Sequence, residues 1–415
     1  MFKMALRQIL AYKQRTIITI LLTLAATYMF VFLNGFAHGS RMIMIDAGVK
    51  LYPGFIKVIN REFDETPSFE NLIFDMEDTL KKVKSAEGVE VATARFETFA
   101  LYSTDEETIG GMFTAIQPDS EAKISKLKES LIEGEYLSSD DTNALYIGNE
   151  FASRLNVKLG DTISFISTGA DYSFAADNIV IKGIFKTGLF SFNNSAAFMN
   201  KKYFDEVMAS KNIATSIVVK PVSEDDDEIL NITQNIQNNL SDEFWAQSYF
   251  ITMEELIDAM IIDEVFGYFQ LGIFFVVIFF VIAIYNYLNI YGRIREFGIL
   301  KSIGTTPAQI TKMLFLEIII LGSIGVGIGS GIATWNLKYL NENPVDIHKL
   351  YGDAIDIEEY MKEYDMVMID AMPADYNLES IFWHTLFVYI ATILSVLYPI
   401  IMVNRLKPVE AMHHV

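Results

Sequence analysis

The chain has 415 residues, of which 51% are hydrophobic and 20% charged, with a formal net charge of −21; these figures fit a mosaic of apolar segments and polar domain rather than one soluble core. The acidic balance argues against nucleic acid as a partner, because phosphate backbones are held by clustered Lys and Arg. With no cysteine present, disulfides, Fe–S centres and thiolate metal sites are excluded.

Residues 1–15 carry Lys3, Arg7, Lys13 and Arg15 and lead into a first apolar run, Thr16 to Phe36. This run reads as a retained transmembrane helix. The alternative is a secretory signal peptide, but the run exceeds the usual apolar stretch of about 7 to 15 residues, and no small-x-small cleavage site follows cleanly. Residues 37–265 then alternate short β-like runs, such as Phe55 to Ile59 and Ile179 to Phe185, with segments of helical spacing, such as Phe69 to Ser85 and Asp225 to Leu240. The pattern predicts an α+β domain, with a lobe at 117–211 inserted into an outer lobe. From Thr252 to Val265 the helical spacing runs on without Pro or Gly, so either one helix continues into the membrane or an ordinary helix ends at its surface.

A second span follows at 266–290, then a polar loop at 291–312. In the loop, Ile294, Phe297, Leu300 and Lys301 fall at helical spacing, Gly304 is placed to end a short helix, and Pro307 to start the next. One reading is an amphipathic helix under the membrane that seats in a soluble partner; the other is a loop whose arginines only anchor topology. The third span, 313–335, holds the GxxxG spacings Gly325/Gly329 and Gly327/Gly331. Such spacings let helix backbones approach closely, either inside this chain or against a second membrane chain. Glu317 in this helix is a functional candidate as a membrane carboxylate, or else pairs with Lys312 or a partner helix. An acidic segment, 336–380, a fourth span, 381–403, and a short tail, 404–415, complete the chain.

The three short segments 1–15, 291–312 and 404–415 hold ten Lys or Arg and only two acids, Glu296 and Glu410. The positive-inside bias therefore places the termini and middle loop in the cytoplasm. Residues 37–265 carry 19 basic and 39 acidic residues, and 336–380 carry 3 and 11, so nearly all the negative charge lies on the other side.

The loop sequence Arg293-x-Arg-Glu-x-Gly-x-Leu-Lys-x-Ile-Gly304, with Pro307 and the run Met313-Leu-Phe-Leu-Glu317, resembles the signature of the FtsX-type ABC transporter permeases, a group that includes MacB, LolC and LolE proteins. The ending Tyr398-Pro-x5-Arg405-Leu-x-Pro408-x-Glu-Ala411 resembles the tail of the same superfamily. Within 37–265, Ile147 to Asp161, Ile181 to Gly188 and Phe113 to Pro118 resemble the lipoprotein-releasing LolC/LolE branch. The resemblance implies four transmembrane helices with a MacB-like extracytoplasmic α+β domain. It also implies a coupling helix that docks on an ATPase, built from Arg293, Arg295, Glu296, Phe297, Gly298, Leu300, Lys301, Gly304 and Pro307. That branch uses a projecting, proline-containing hairpin to engage a periplasmic carrier. The corresponding segment here, Ser167 to Asn178, is short, lacks proline, and offers Tyr172 and Phe174 as candidate carrier contacts.

No GxxxxGK[ST] occurs, so ATP and Mg are expected on a partner ATPase and no cofactor on this chain. Histidines 38, 348, 384, 413 and 414 form no HExxH or paired metal spacing, and no GxSxG is present; neither a metal site nor an enzyme is expected. By the resemblance, the chain is a non-catalytic permease of the inner membrane that extracts lipoproteins. Its implied partners are a LolD-like ATPase dimer, a second permease subunit and a LolA-like carrier. Leu24, Phe30, Phe32, Phe269, Phe274 and Phe275 either line an acyl-chain cavity or simply face lipid. The rival readings are a MacB-like mechanical exporter and an FtsX-like signalling permease that activates a cell-wall hydrolase.

Overall fold

The four apolar runs fold as helices that continue into the polar sequence on either side. In the computed structural model, which describes residues 2–347, 349, 357–363 and 371–405, the helices long and apolar enough to cross a membrane are Lys13–Ser40, Glu254–Tyr291, Pro307–Glu342 and Leu378–Arg405. They overshoot the expected spans because a formed helix propagates at one hydrogen bond per residue until something stops it. In chain order the elements are α1 (Phe2–Ala11), α2 (Lys13–Val49), β1 (Ile56–Asn60), α3 (Arg61–Glu65), α4 (Met76–Lys84), β2 (Val89–Ser103), β3 (Thr108–Ile116), α5 (Pro118–Ile124) and β4 (Leu131–Gly134). Next come β5 (Ala144–Gly148), α6 (Asn149–Arg154), β6 (Thr162–Thr168), β7 (Phe174–Phe185), α7 (Phe190–Asn193), β8 (Ala196–Asn200), α8 (Lys201–Val207), β9 (Ser216–Pro221), α9 (Asp226–Asn239), β10 (Phe244–Ser248) and α10 (Tyr249–Thr252). The chain then runs through α11 (Glu254–Tyr291), α12 (Ile294–Ser302), α13 (Pro307–Glu342), β11 (Val345–Asp346), α14 (Ile357–Glu363), β12 (Ala371–Met372), α15 (Leu378–Leu394) and α16 (Leu397–Arg405). The fourth span thus breaks between α15 and α16, where Pro399 supplies no amide to bond Ser395. Leu406, Pro408, Glu410 and Ala411 of the tail motif, and residues 348, 350–356 and 364–370 of the acidic segment, lie outside the described residues.

The chain forms two compact units, Met1–Met42 with Met260–Ile347 and Ala371–Val415, and Ile43–Ala259 with His348–Asp370. Both α2 and α11 cross the boundary in sequence as unbroken helices, so the continuous form of the helix around 252–265 is the one adopted, after a break at Met253.

In the membrane-type unit, backbone contact replaces the hydrophobic drive that lipid removes. Thr19, Thr23 and Thr27 of α2 are buried, and each hydroxyl donates to the carbonyl four residues back at 2.7–3.0 Å. Their polar groups are thereby satisfied, and a small face is presented to α13. A Cβ placed on Gly325 would lie 1.9 Å from Thr23 Oγ1 and 2.9 Å from the Ile20 carbonyl oxygen, and one on Gly329 would lie 2.5 Å from the Leu24 carbonyl oxygen. Nothing lies within 4 Å of such an atom on Gly327 or Gly331. The two spacings therefore divide: 325/329 is packing inside the subunit, and 327/331 faces outward. Gly325→Leu is expected to force α2 and α13 apart at a cost of about 1–3 kcal/mol, while Gly327→Leu leaves thermal stability of the solubilised chain unchanged.

The mixed α/β unit is built from two lobes that share one strand. In the first, β10, β1, β9 and the first half of β2 pair antiparallel, with registers Val58↔Ala246, Ile56↔Val219 and Ala94↔Ile217. Helices α4 and α9 contribute Leu80, Val83, Ile229, Ile232 and Ile236 to the core against this sheet. Asp225 caps α9 through the amides of Asp227 and Glu228, and acids fill the first turn, where the helix dipole favours them.

The second lobe is a closed ring of six strands. The second half of β2 pairs with β3 on one side (Phe96↔Ala115 to Ser103↔Thr108) and β6 on the other (Leu101↔Ile166). The ring then closes through β8, β5 and β7, with β3·β8 and β5·β7 parallel. Every strand points alternate side chains inward, including Phe96, Tyr102, Phe113, Phe165, Ile179, Ile181, Leu145 and Ala197, as period-two geometry requires. The lobe therefore starts in the middle of β2, before the expected Gln117, because β2 is long enough to serve both sheets.

Burial raises the tyrosine hydroxyls of this unit: Tyr102, Tyr146 and Tyr249 all lie above the usual value, and Tyr203 is pushed up to about 12. The folded unit keeps protons that the unfolded chain releases near pH 10. Their contribution is complete below that pH and is lost as pH climbs toward the raised values. Near-ultraviolet circular dichroism should accordingly report loss of tertiary structure in the unit beginning above about pH 10.

Candidate functional site

The segment between the second and third spans folds as its punctuation dictates. After α11 ends at Tyr291, α12 occupies Ile294–Ser302; Gly304 takes φ +96°, and Thr306 starts α13 with a capping box through Gln309 and Pro307 in the first turn. A left-handed residue there suits glycine alone among the nearby side chains.

The burial of α12 splits the nine expected docking residues. Of these, Phe297 and Gly298 are buried, as is the neighbouring Ile294, and Phe297 packs in one cluster with Ala5, Ile290, Ile310, Met313, Leu314 and Ile400. Leu300 packs at the edge of that cluster. Arg293 is also buried: its Nε donates to Glu296 at 3.1 Å, and its Nη1 donates to both oxygens of Glu317 at 3.3 and 3.1 Å. Glu296 also accepts from the Tyr12 hydroxyl. The ammonium of Lys301 donates to the carbonyls of Val403 and Asn404 at 2.7 and 3.1 Å, at the C-terminal end of α16, where cations are favoured. What α12 turns outward is Arg295, Ile299, Ser302 and Ile303, with Gly304 and Pro307 beyond. Sequence spacing singled out the inward face. The outward apolar pair, Ile299 at 49% and Ile303 at 73% exposure, was missed, although it recurs at helical spacing with Arg295.

Glu317 pairs with Arg15 and Arg293, not with Lys312. Five residues of helix put Lys312 about 140° around α13 from it.

The six expected cavity residues do not form one group. Leu24 lies at the α2–α13 crossing. Phe30 and Phe275 meet at 6.1 Å between ring centroids and share Phe387, at 6.0 and 4.4 Å. Phe32 stacks between Tyr28 and Phe36. Phe274 is half-buried and Phe269 exposed.

In the ring lobe, the segment 167–178 is a tight strand turn and does not project. Thr168 pairs with Phe174, and the Gly169 amide donates to the Ser173 carbonyl at 2.8 Å. The Ala170 amide is tied to Met208 at 2.9 Å. Phe174 is 92% exposed, and the Tyr172 ring lies 5.7 Å from Phe69. The pairing register puts Phe99, Leu101 and Ile166 on the outer face of the same strands, all exposed. Over β5, β8 and the end of β7 the outer side of the ring is covered: Tyr146, Phe185 and Phe198 pack in one cluster with Leu51, Tyr52, Leu127 and Leu137. The bare apolar face was not legible in the sequence, because alternation alone does not say which set of side chains turns inward.

Residues 268–408 match the FtsX-like permease C-terminal family. The transmembrane protein LolC of the lipoprotein-releasing system from Xylella fastidiosa strain 9a5c is 22% identical over 318 residues, covering 73% of each chain, and that of strain Temecula1 is 21% identical over the same coverage. Among solved structures, the periplasmic region of MacB from Actinobacillus actinomycetemcomitans aligns with TM-score 0.38 at 10% identity, over 52% of this chain and 98% of that one. The extracellular domain of the ABC-type transporter YknZ from Gram-positive bacteria aligns with TM-score 0.35 at 16% identity, over 46% and 99%.

Proposed function

We propose that this chain, an ABC transporter permease of the FtsX/MacB type, extracts lipoproteins from the outer leaflet of the inner membrane, driven by a separate LolD-like ATPase dimer that holds ATP and Mg. The observation that carries the reading is α12, a short helix between two spans with its apolar inner face buried and a mixed outer face of Arg295, Ile299 and Ile303 left open. A helix so placed suits a groove in a soluble partner. The likeness to the LolC proteins over 73% of the chain favours lipoprotein as cargo.

In this reading the termini and 291–312 face the cytoplasm, following the lysine and arginine bias, and the mixed α/β unit faces the periplasm. A second permease, identical or LolC/LolE-type, meets the face of α13 that carries Gly327 and Gly331. Cargo acyl chains pass the aromatic surfaces of α2 and α11, with Phe269 the exposed member. A LolA-like carrier meets the sheet face of Phe99, Leu101, Ile166 and Phe174, with Tyr172 at its edge. Apolar faces of this kind are uncommon on surfaces without a partner.

Depletion followed by membrane fractionation tests the proposal. Lipoproteins retained in the inner membrane are the expected result. Normal lipoprotein sorting with chained cells would instead point to activation of a cell-wall hydrolase.

A further inference from the structure

Four charges meet where α1 gives way to α2, α12 begins and α13 enters its apolar stretch. Glu317 on α13 accepts from Arg293 at the start of α12 and from Arg15 on α2, while Glu296 on α12 accepts from Arg293 and from Tyr12. The Arg15, Arg293 and Glu317 side chains are 14%, 5% and 10% exposed. Two arginines and two glutamates sum to zero, so the intact group is tolerated at low dielectric, whereas loss of one member strands a charge there. Arg293 also keeps a buried Nη2 with no acceptor, so its place is set by the two carboxylates it does reach.

The packing beneath α12 is apolar and does not fix direction. Phe297, with Leu300 at its edge, packs in one apolar cluster with Ile310, Met313 and Leu314 of α13, a contact that a helix could keep while it rolls or slides. Charge-assisted, forked hydrogen bonds do fix direction. Those of Arg293 hold the N-terminal end of α12, and Lys301 holds the other end against the last carbonyls of α16.

We infer that Glu317 is a positioning residue: it ties α12 to α2 and α13 so that displacement of α12 by a docked ATPase is delivered to the membrane helices. The inference rests on the docking role proposed above.

Because the chain has no cysteine, single labels can be placed without background. Spin labels at Ile299→Cys on α12 and Ile17→Cys on α2, both exposed positions, report the tie in the full chain in nanodiscs without any ATPase. One narrow distance is expected with Glu317, a broadened or split distribution with Glu317→Gln, and recovery of the narrow one with Glu317→Asp. With the cognate ATPase added, Glu317→Gln should bind it within about twofold of the unaltered chain, because the outer face of α12 is untouched, yet lose cargo-stimulated hydrolysis by at least about tenfold. If Glu317→Gln does not accumulate in membranes, Arg293→Lys, which keeps the charge and loses the fork, is read by the same two measurements. An unchanged narrow distance, or a broadened one with full stimulation, overturns the inference. Failure of the ATPase to bind even the unaltered chain sinks the docking proposal instead, and leaves the distance measurement to judge the tie.

Discussion

Replacement of Glu121 by alanine should destabilise the mixed α/β unit by about 3–5 kcal/mol, the usual cost of stranding one member of a buried ion pair. Arg95 and Glu121 are 1% and 0% exposed, and they form a fork, with Nε to Oε2 at 3.0 Å and Nη2 to Oε1 at 2.6 Å. The ring of Tyr52 lies 3.9 Å from the guanidinium carbon, and its hydroxyl donates to Glu97, which also pairs with Lys57. Arg95 sits at the midpoint of β2, where pairing passes from β9 to β3, and α5 brings Glu121 to it. The pair therefore fixes how the two lobes of this unit meet along their shared strand. Hydrogen exchange of the β2 amides in the full chain is the measurement: in Glu121→Ala, protection should fall in both halves of the strand together. The double replacement Arg95→Met with Glu121→Leu should recover most of the loss, since apolar side chains of similar size remove both charges at once. Equal destabilisation in the single and double variants would mean that shape, not charge, holds the junction.

That pair marks the limit of what the sequence made legible. The spans were readable because apolar length against bilayer thickness is a local property, and α12 was readable because Gly304 and Pro307 punctuate it. Helix ends were not, because nothing in residues 37–49 or 254–265 stops a helix already formed. The closed strand ring depends on pairings such as Leu101↔Ile166, 65 residues apart, and no local pattern encodes them. Arg95 and Glu121 looked like two more charges in an acidic domain. Arg293 and Arg295 stand two residues apart on one short helix, yet one is buried in a charge cluster and the other is exposed. Which face of α12 turns inward is decided by the helices it packs against; sequence spacing alone left a docking helix and a topology-anchoring loop equally open.

The face of α12 also sets the last expected result: Ile303→Asp should weaken binding of the partner ATPase by about 2–4 kcal/mol, or roughly thirty- to a thousandfold, with membrane insertion unchanged. Ile303 is the most exposed large apolar side chain of the segment, and Ile299 stands one helical turn before it. Apolar groups desolvated at the centre of an interface carry most of its energy, whereas a rim charge such as Arg295 contributes mainly to rate and register. Arg295→Glu should therefore slow association and make it more salt-dependent, at a smaller cost in affinity. Phe297→Ala tests the opposite face. That ring is buried among Ala5, Ile290 and Met313, so its loss should lower the stability of the chain before it touches docking. A competing account has Ile299 and Ile303 resting in the lipid interface and no ATPase there at all. Under it, Ile303→Asp would loosen α12 from the bilayer and leave ATPase binding as it was. Titrating purified ATPase onto the nanodisc-embedded variant therefore decides between a docking face and a membrane face.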